Sequence, residues 1–160
     1  MKRIFFFIFL FFLLALNSAH AISADLGEVG VGARPLSLGK AYVGLADDAS
    51  AVFLNPAGIR ENPEMGVVSM TGKMLNDITY VSFAITNPFA FGSLGVGYIN
   101  ASTSGIPLTT LTTTSTEVLI DQYGVTDYSS SILYLSYSKD MMKDLYFGGS
   151  LKMFSQGFSQ

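Results

Sequence analysis

The stretch from Asp77 to Thr86 reads DITYVSFAIT, and it decides the fold class because its residues alternate in character. One side of an extended chain would carry Thr79, Val81, Phe83 and Ile85. The other side would carry Tyr80, Ser82, Ala84 and Thr86. A period of two residues over this length predicts a β-strand with one apolar face and one small or polar face.

Four more stretches of the chain have strand-like sequences and bring the predicted total to five strands. A short β-rich stretch occupies 66–74, and alternation recurs at 91–100, 129–139 and 145–155. We predict tight breaks at 87–90 and 140–144, and a long polar loop rich in Thr and Ser at 101–128. The five predicted strands indicate an all-β fold, and the short connections between them favour antiparallel pairing.

The low charge of the chain indicates where such a sheet would lie. Only 13% of the residues are charged while 49% are hydrophobic, yet no long apolar run of a transmembrane helix follows the first segment. Strands of about ten residues match the tilted strands of a membrane barrel. Charge is nearly absent from the interiors of these strands; Lys152 is the exception, and it falls on the small, inward face. We therefore expect an antiparallel transmembrane β-barrel, with periplasmic turns at 87–90 and 140–144 and the Thr-rich loop outside.

The first 21 residues have the layout of a signal peptide. Lys2 and Arg3 precede an apolar block at 4–16, and a small-residue cleavage site ends at Ala21. The apolar block is too short for a spanning anchor. We expect export through a cleaved signal peptide to the bacterial outer membrane, with outer-membrane lipid as a partner.

Composition excludes several kinds of site. Without residues 1–21 the chain has 7 Lys and Arg against 12 Asp and Glu, a net charge of −5, which argues against nucleic acid as a partner. The chain has no cysteine, and its one histidine, His20, lies in the predicted signal peptide. The sequence thus predicts no metal site of Cys and His, no catalytic triad, no cofactor and no enzymatic activity.

Residues 22–64, the N-terminal segment, do not alternate. They contain GARPL at 32–36, glycine and small residues through Gly39, Ala41 and Gly44, ADDAS at 46–50 and NPAG at 55–58. This order of motifs resembles the N-terminus of the PorV/PorQ family and, more distantly, that of the FadL-like outer-membrane barrels. With the strand pattern of 65–160, the resemblance covers essentially the whole chain after the signal peptide.

The resemblance implies a barrel of roughly fourteen strands, within the range of single-chain barrels, whose N-terminal segment folds into the lumen as a plug. The candidate site residues, structural or ligand-contacting, are those of the plug motifs: Arg34, Pro35, Asp47, Asp48, Asn55, Pro56, Ala57 and Gly58. From the residues themselves we predict that Asp47 or Asp48 caps a short helix at 49–54, and that Asn55-Pro56 ends it. Arg34 is expected to pair with one of the two carboxylates.

Other interpretations of these motifs fit less well. Gly30 and Gly32 suggest a dinucleotide loop, but no hydrophobic strand precedes them and Pro35 replaces the third glycine. Gly39-Lys40 suggests a P-loop, but the first glycine and the magnesium-binding hydroxyl are missing. Asp47-Asp48 lacks a nearby third carboxylate for calcium, so capping is favoured.

Three functions remain open at this point. The resemblance implies a PorV/PorQ-type protein that serves secretion or cargo handover, with secretion-system proteins and exported cargo as partners. The alternatives are a FadL-like channel for fatty acids or another hydrophobic small molecule, and a soluble secreted β-rich adhesive protein. Five strands are fewer than the smallest single-chain barrels contain, so we expect 65–160 to be the first strands of an incomplete barrel.

Overall fold

The computed structural model describes Leu26 and residues 31–39, 41–74, 77–113 and 118–159. The predicted signal peptide at 1–21 lies outside the described residues. Within them the chain forms one five-stranded sheet and four short helices. Among the described residues, no helix is long and apolar enough to cross a membrane.

The five strands pair in the order of the chain. They are β1 (Gly66–Met74), β2 (Ile78–Phe89), β3 (Gly92–Thr113), β4 (Val118–Met142) and β5 (Leu145–Ser159). Each strand is antiparallel to the next, and within the described part of the chain the sheet is open, with β1 and β5 at its edges. The predicted all-β, antiparallel architecture is confirmed at this level.

The register gives the two faces of the sheet opposite characters. One row of paired residues, on the face called here outward, is Val67, Ile85, Val96, Leu135 and Leu151. The adjacent row, on the inward face, is Gly66, Thr86, Gly95, Ser136 and Ser150. Side chains of successive residues point to opposite faces, so a single register separates the apolar set from the small and polar set.

Two of the predicted breaks begin too early in the chain. The break predicted at 140–144 overlaps β4, which continues to Met142 and pairs there with Leu145. Asn87-Pro88 does not break β2, because Pro88 pairs with Ser93 and the chain turns only at Ala90 and Phe91. A proline near the end of a strand removes one N–H donor without disturbing the rest of the ladder.

The predicted loop at 101–128 was also wrong. β3 and β4 continue as a two-stranded extension, with partners from Ser102 and Ser129 to Thr113 and Val118 and register shifts after Thr103 and Leu108. The many threonines favour this outcome because β-branched side chains suit extended backbone. A polar, Thr-rich sequence is therefore compatible with regular strand pairing here.

The N-terminal segment covers the inward face. Its helices are α1 (Ala33–Ser37), the 3₁₀ helix η1 (Ala41–Gly44), α2 (Ala51–Leu54) and the 3₁₀ helix η2 (Pro56–Glu61). The core joins buried side chains of this segment to those of the sheet: Val31, Tyr42, Val52, Phe53 and Ile59 with Ala84, Ile99, Ile132 and Tyr134. Phe53 meets Tyr134 edge to face, with ring centroids 5.2 Å apart. Burial of these apolar side chains holds the segment against the sheet.

The outward face has no such cover in the described part of the chain. Val81, Phe83, Leu94, Val96 and Leu135 are each 37–42% exposed. Large apolar side chains on the same face of β5, such as Phe147 and Leu151, are more exposed still. Contiguous exposed apolar surfaces are typical of protein–protein or membrane contact sites.

Candidate functional site

The N-terminal segment contains a charge cluster around Arg34. The Arg34 guanidinium donates from Nη2 to Asp47 Oδ2 at 3.0 Å and from Nη1 to Asp48 Oδ2 at 3.1 Å. Its Cζ atom also lies 5.8 Å from the centre of the Tyr42 ring. The sequence predicted one carboxylate partner for Arg34, and the structure provides two. The cluster joins α1 to the chain that precedes α2.

Asp48 is the centre of this cluster. Its Oδ1 accepts hydrogen bonds from the Tyr42 hydroxyl and from the Ser50 amide, each at 2.7 Å. Partial burial acts to raise the pKa of Asp48, but the hydrogen bonds from Tyr42, Ser50 and Arg34 outweigh it and hold the pKa below 3.8. Burial, followed by the bond to Asp48, raises the pKa of Tyr42. Asp48 is therefore a charged acceptor that fixes the shape of this turn.

The predicted helix cap differs in detail. α2 begins at Ala51 rather than Ala49, and its N-cap residue is Ser50, without a side-chain cap bond. Asp48 accepts the amide two residues ahead, as aspartate does in a turn, and Asp47 pairs with Arg34 instead. The prediction that Asp47 or Asp48 caps the helix was therefore wrong. Asp48 accepts the Ser50 amide, just before α2 begins, and Asp47 pairs with Arg34.

The predicted end of the helix is confirmed. α2 ends at Leu54, and Asn55 is extended with φ −147° and ψ 90°. Pro56 then opens η2, where its fixed φ suits a first helical position. The Asn55 side chain donates to the Val43 carbonyl at 3.0 Å and ties this junction to η1.

Small inward residues form a seat for α2 and η2. We define the seat as Gly95, Gly97, Ser136, Ser138 and Gly148. A Cβ on Gly148 would lie 2.3 Å from the Ala57 amide nitrogen, and one on Gly97 would lie 2.6 Å from the Phe53 ring. The Ser138 hydroxyl donates to the Ala57 carbonyl at 2.9 Å, and that of Ser136 to the Val52 carbonyl at 3.3 Å. The seat thus combines close approach with hydrogen bonds to the backbone of the segment.

Gly58, the last residue of NPAG, serves the packing within the segment. A Cβ at this position would lie 2.2 Å from the Ala46 carbonyl oxygen, so only glycine fits without displacing the backbone. Ala57 and Gly58 therefore contact different partners: Ala57 contacts the sheet, and Gly58 contacts the chain before α2.

An ion pair joins the end of the segment to the sheet. Arg60 donates from Nε to Asp140 Oδ2 at 2.8 Å, across 80 residues of sequence. Sequence reasoning did not select Arg60, Asp140 or the five seat residues. The only available signal was the preference for glycine and serine on the inward face of the strands, and it gave no partner for them.

A cavity lies at the other end of the inward face. Its volume is about 170 Å³, and its walls come from Leu26, from Met74 and Ile78, and from residues 101–103 of β3 with Tyr128 and Ser130 of β4. None of the predicted site residues lines this cavity. The structure places Arg34, Pro35, Asp47 and Asp48 in the charge cluster or beside it, and Pro56 and Ala57 at the seat. Asn55 bonds to η1, and Gly58 packs against Ala46.

No family model, curated protein or solved structure matches this chain. The resemblance to the PorV/PorQ family therefore depends on the motifs at 32–58 and on the strand pattern that follows them.

Proposed function

We propose that this chain forms the plug and the first wall strands of an outer-membrane β-barrel of the PorV/PorQ type, which serves protein secretion or cargo handover. The observation that carries the proposal is the contrast between the two faces of the sheet. The outward face presents apolar side chains such as Phe83 and Val96, while the small, polar inward face is covered by the N-terminal segment. Lipid outside and a filled lumen inside would account for both faces.

The attachment of the segment supports a secretion role over an open pore. The core contacts of Val52 and Ile59, the seat contact at Gly148 and the Arg60–Asp140 ion pair hold it at several separate points. A segment bound in this way would remain in the lumen and block free diffusion along this wall. A barrel that holds or hands over cargo at the cell surface does not need an open lumen.

Localisation provides the first test. Cells expressing the full protein are fractionated, and we expect it in detergent extracts of the outer membrane. Recovery in the soluble periplasm or the medium would overturn the barrel and favour a secreted β-rich protein.

The secretion role needs a separate test in the native host. The gene is deleted, and the proteins exposed at the cell surface are compared with those of the parent strain. We expect specific exported proteins to be lost from the surface and restored by complementation. An unchanged set of surface proteins, with poorer growth on fatty acids, would instead support the uptake channel.

A further inference from the structure

The two ends of the outward face differ in chemistry. Next to the short turns this face carries aromatic side chains: Phe89, Phe91, Tyr137 and Phe147. Phe91 stacks on Phe89, with ring centroids 5.2 Å apart. At the other end of the face the side chains are hydroxyls and an amide: Thr79, Asn100, Ser102, Ser129 and Ser131. Aromatic side chains commonly mark the boundary of a membrane, so the aromatic end has the chemistry of a headgroup contact.

Lys139 is the charged strand residue of the aromatic end. It lies on the outward face of β4 and is exposed. The neighbouring Asp140 pairs with Arg60 instead, so Lys139 has no ion pair among the described residues. Lys143 and Asp144 follow each other in the turn, and their opposite charges offset. The Lys139 ammonium is therefore available to an anion from outside the chain.

An apolar recess lies beside Lys139 on the same face. Gly149 occupies the outward position between Phe147 and Leu151, and a Cβ there would meet nothing within 4 Å. Tyr137 is the partner of Gly149 on β4, and Lys139 is the partner of Phe147. Phe147 and Leu151 are 67% and 61% exposed, and four positions of a strand span about 13 Å. A hydrocarbon chain therefore fits over Gly149 between these two side chains.

We propose that this end of the outward face binds an anionic glycerophospholipid, with its headgroup at Lys139 and an acyl chain over Gly149. A lysine next to apolar side chains keeps its methylene stem among them and extends its ammonium to the aqueous boundary. One lysine near an anionic membrane surface favours binding by about fivefold. The inference rests on the proposed barrel, because the outward face has to contact lipid.

The test uses single tryptophans as reporters, because the chain contains none. Phe147→Trp places a reporter beside Lys139, and Tyr98→Trp places one on the same face away from it. The full protein is reconstituted in mixed vesicles of phosphatidylglycerol and phosphatidylcholine, in which one of the two lipids carries brominated chains that quench tryptophan on contact. Phosphatidylglycerol should bind about fivefold more strongly than phosphatidylcholine at Phe147→Trp, and equally at Tyr98→Trp.

Charge variants in the Phe147→Trp background identify the cation. Lys139→Gln should abolish the preference for phosphatidylglycerol, and Lys139→Arg should retain it. Lys73→Gln is the matched control, because Lys73 lies on the outward face at the opposite end, and it should leave the preference unchanged. Leu151→Trp provides a second reporter at an exposed position if Phe147→Trp does not fold.

Equal quenching by the two lipids beside Lys139 would overturn the site, and so would a preference that Lys139→Gln does not reduce. An equal loss of the preference in Lys73→Gln would also overturn it, since the attraction would then come from the overall charge of the protein. Absence of quenching at both Phe147→Trp and Tyr98→Trp would mean that the outward face is not in the bilayer. That result would overturn the barrel as well, so the two failures are distinguishable.

Discussion

Gly148 and Gly149 are neighbours in β5 with opposite surroundings, which makes them a matched pair. A Cβ on Gly148 would meet backbone atoms of Pro56 and Ala57 at 2.5 and 2.3 Å, whereas one on Gly149 would meet nothing within 4 Å. We expect Gly148→Ala to lower the free energy of unfolding by about 1–3 kcal/mol, because backbone cannot move aside as a flexible side chain can. Urea unfolding of the purified protein measures this change.

The control for this prediction is Gly149→Ala. Alanine there should be neutral, or stabilising by about 0.4–1 kcal/mol, since it restricts the unfolded chain more than glycine does. Equal effects of the two substitutions would mean that the segment does not rest on β5.

Asp48 gives the N-terminal segment a dependence on pH. Its pKa in the folded protein lies below the ordinary value of 3.8, so its contribution to stability is complete above that value and is lost as the pH falls below it. Unfolding is measured from about pH 6 to about pH 3. Asp48→Asn should be less stable than the parent at the upper end and should show a flatter decline with acid.

Asp121→Asn is the control for the acid effect, because Asp121 lies on the exposed β3–β4 extension. Its acid decline should match that of the parent. If Asp48→Asn has the same decline as the parent, the hydrogen bonds at the Asp48 carboxylate are not what responds to acid.

At the scale of the strands, alternation places Val96 at the centre of the outward apolar row and Ser155 at the polar end of the same face. If this face contacts lipid, the cost of a charge depends on depth. Val96→Arg should lower the free energy of unfolding from phospholipid vesicles by about 2–4 kcal/mol, and Ser155→Arg by about 0–1 kcal/mol.

The difference between the two arginine variants tests the dependence on depth, because both add the same side chain to the same face. Similar costs at both positions would contradict a membrane that spans the apolar row. In a water-soluble protein, Val96→Arg would change the free energy of unfolding little, because the Val96 side chain is already 41% exposed.

For the whole molecule, the positions of the turns define an orientation in the membrane. The chain contains no cysteine, so single cysteines can be introduced without background. Asp121→Cys, on the long β3–β4 extension, should react with a membrane-impermeant maleimide on intact cells. Ala90→Cys and Lys143→Cys, at the short turns, should react only after the outer membrane is permeabilised.

Labelling of Ala90→Cys on intact cells, without labelling of Asp121→Cys, would reverse this orientation. Labelling of all three variants only in lysed cells would mean that none of the three positions is exposed on the cell surface. Expression and folding of each variant are checked by reaction after full solubilisation.

The sequence by itself determined the five strands and the separation of their faces. Alternation from Thr79 to Thr86 is a local property, because each residue's side follows from its place in an extended chain. The end of α2 could also be predicted from neighbouring residues, because Pro56 restricts the backbone of the residue immediately before it. Local patterns failed at 101–128, where polarity suggested a loop although the backbone pairs across the extension.

Only the tertiary structure decided how the N-terminal segment is held. Arg60 and Asp140 are 80 residues apart, and Gly148 meets Ala57 across 91 positions of sequence, so no short window contains both partners. The same holds for the cavity at the other end of the inward face, whose walls come from Leu26 and four strands. Alternation assigns a residue to a face, but the partner on that face depends on where the rest of the chain packs, and this is set by the summed burial of distant side chains.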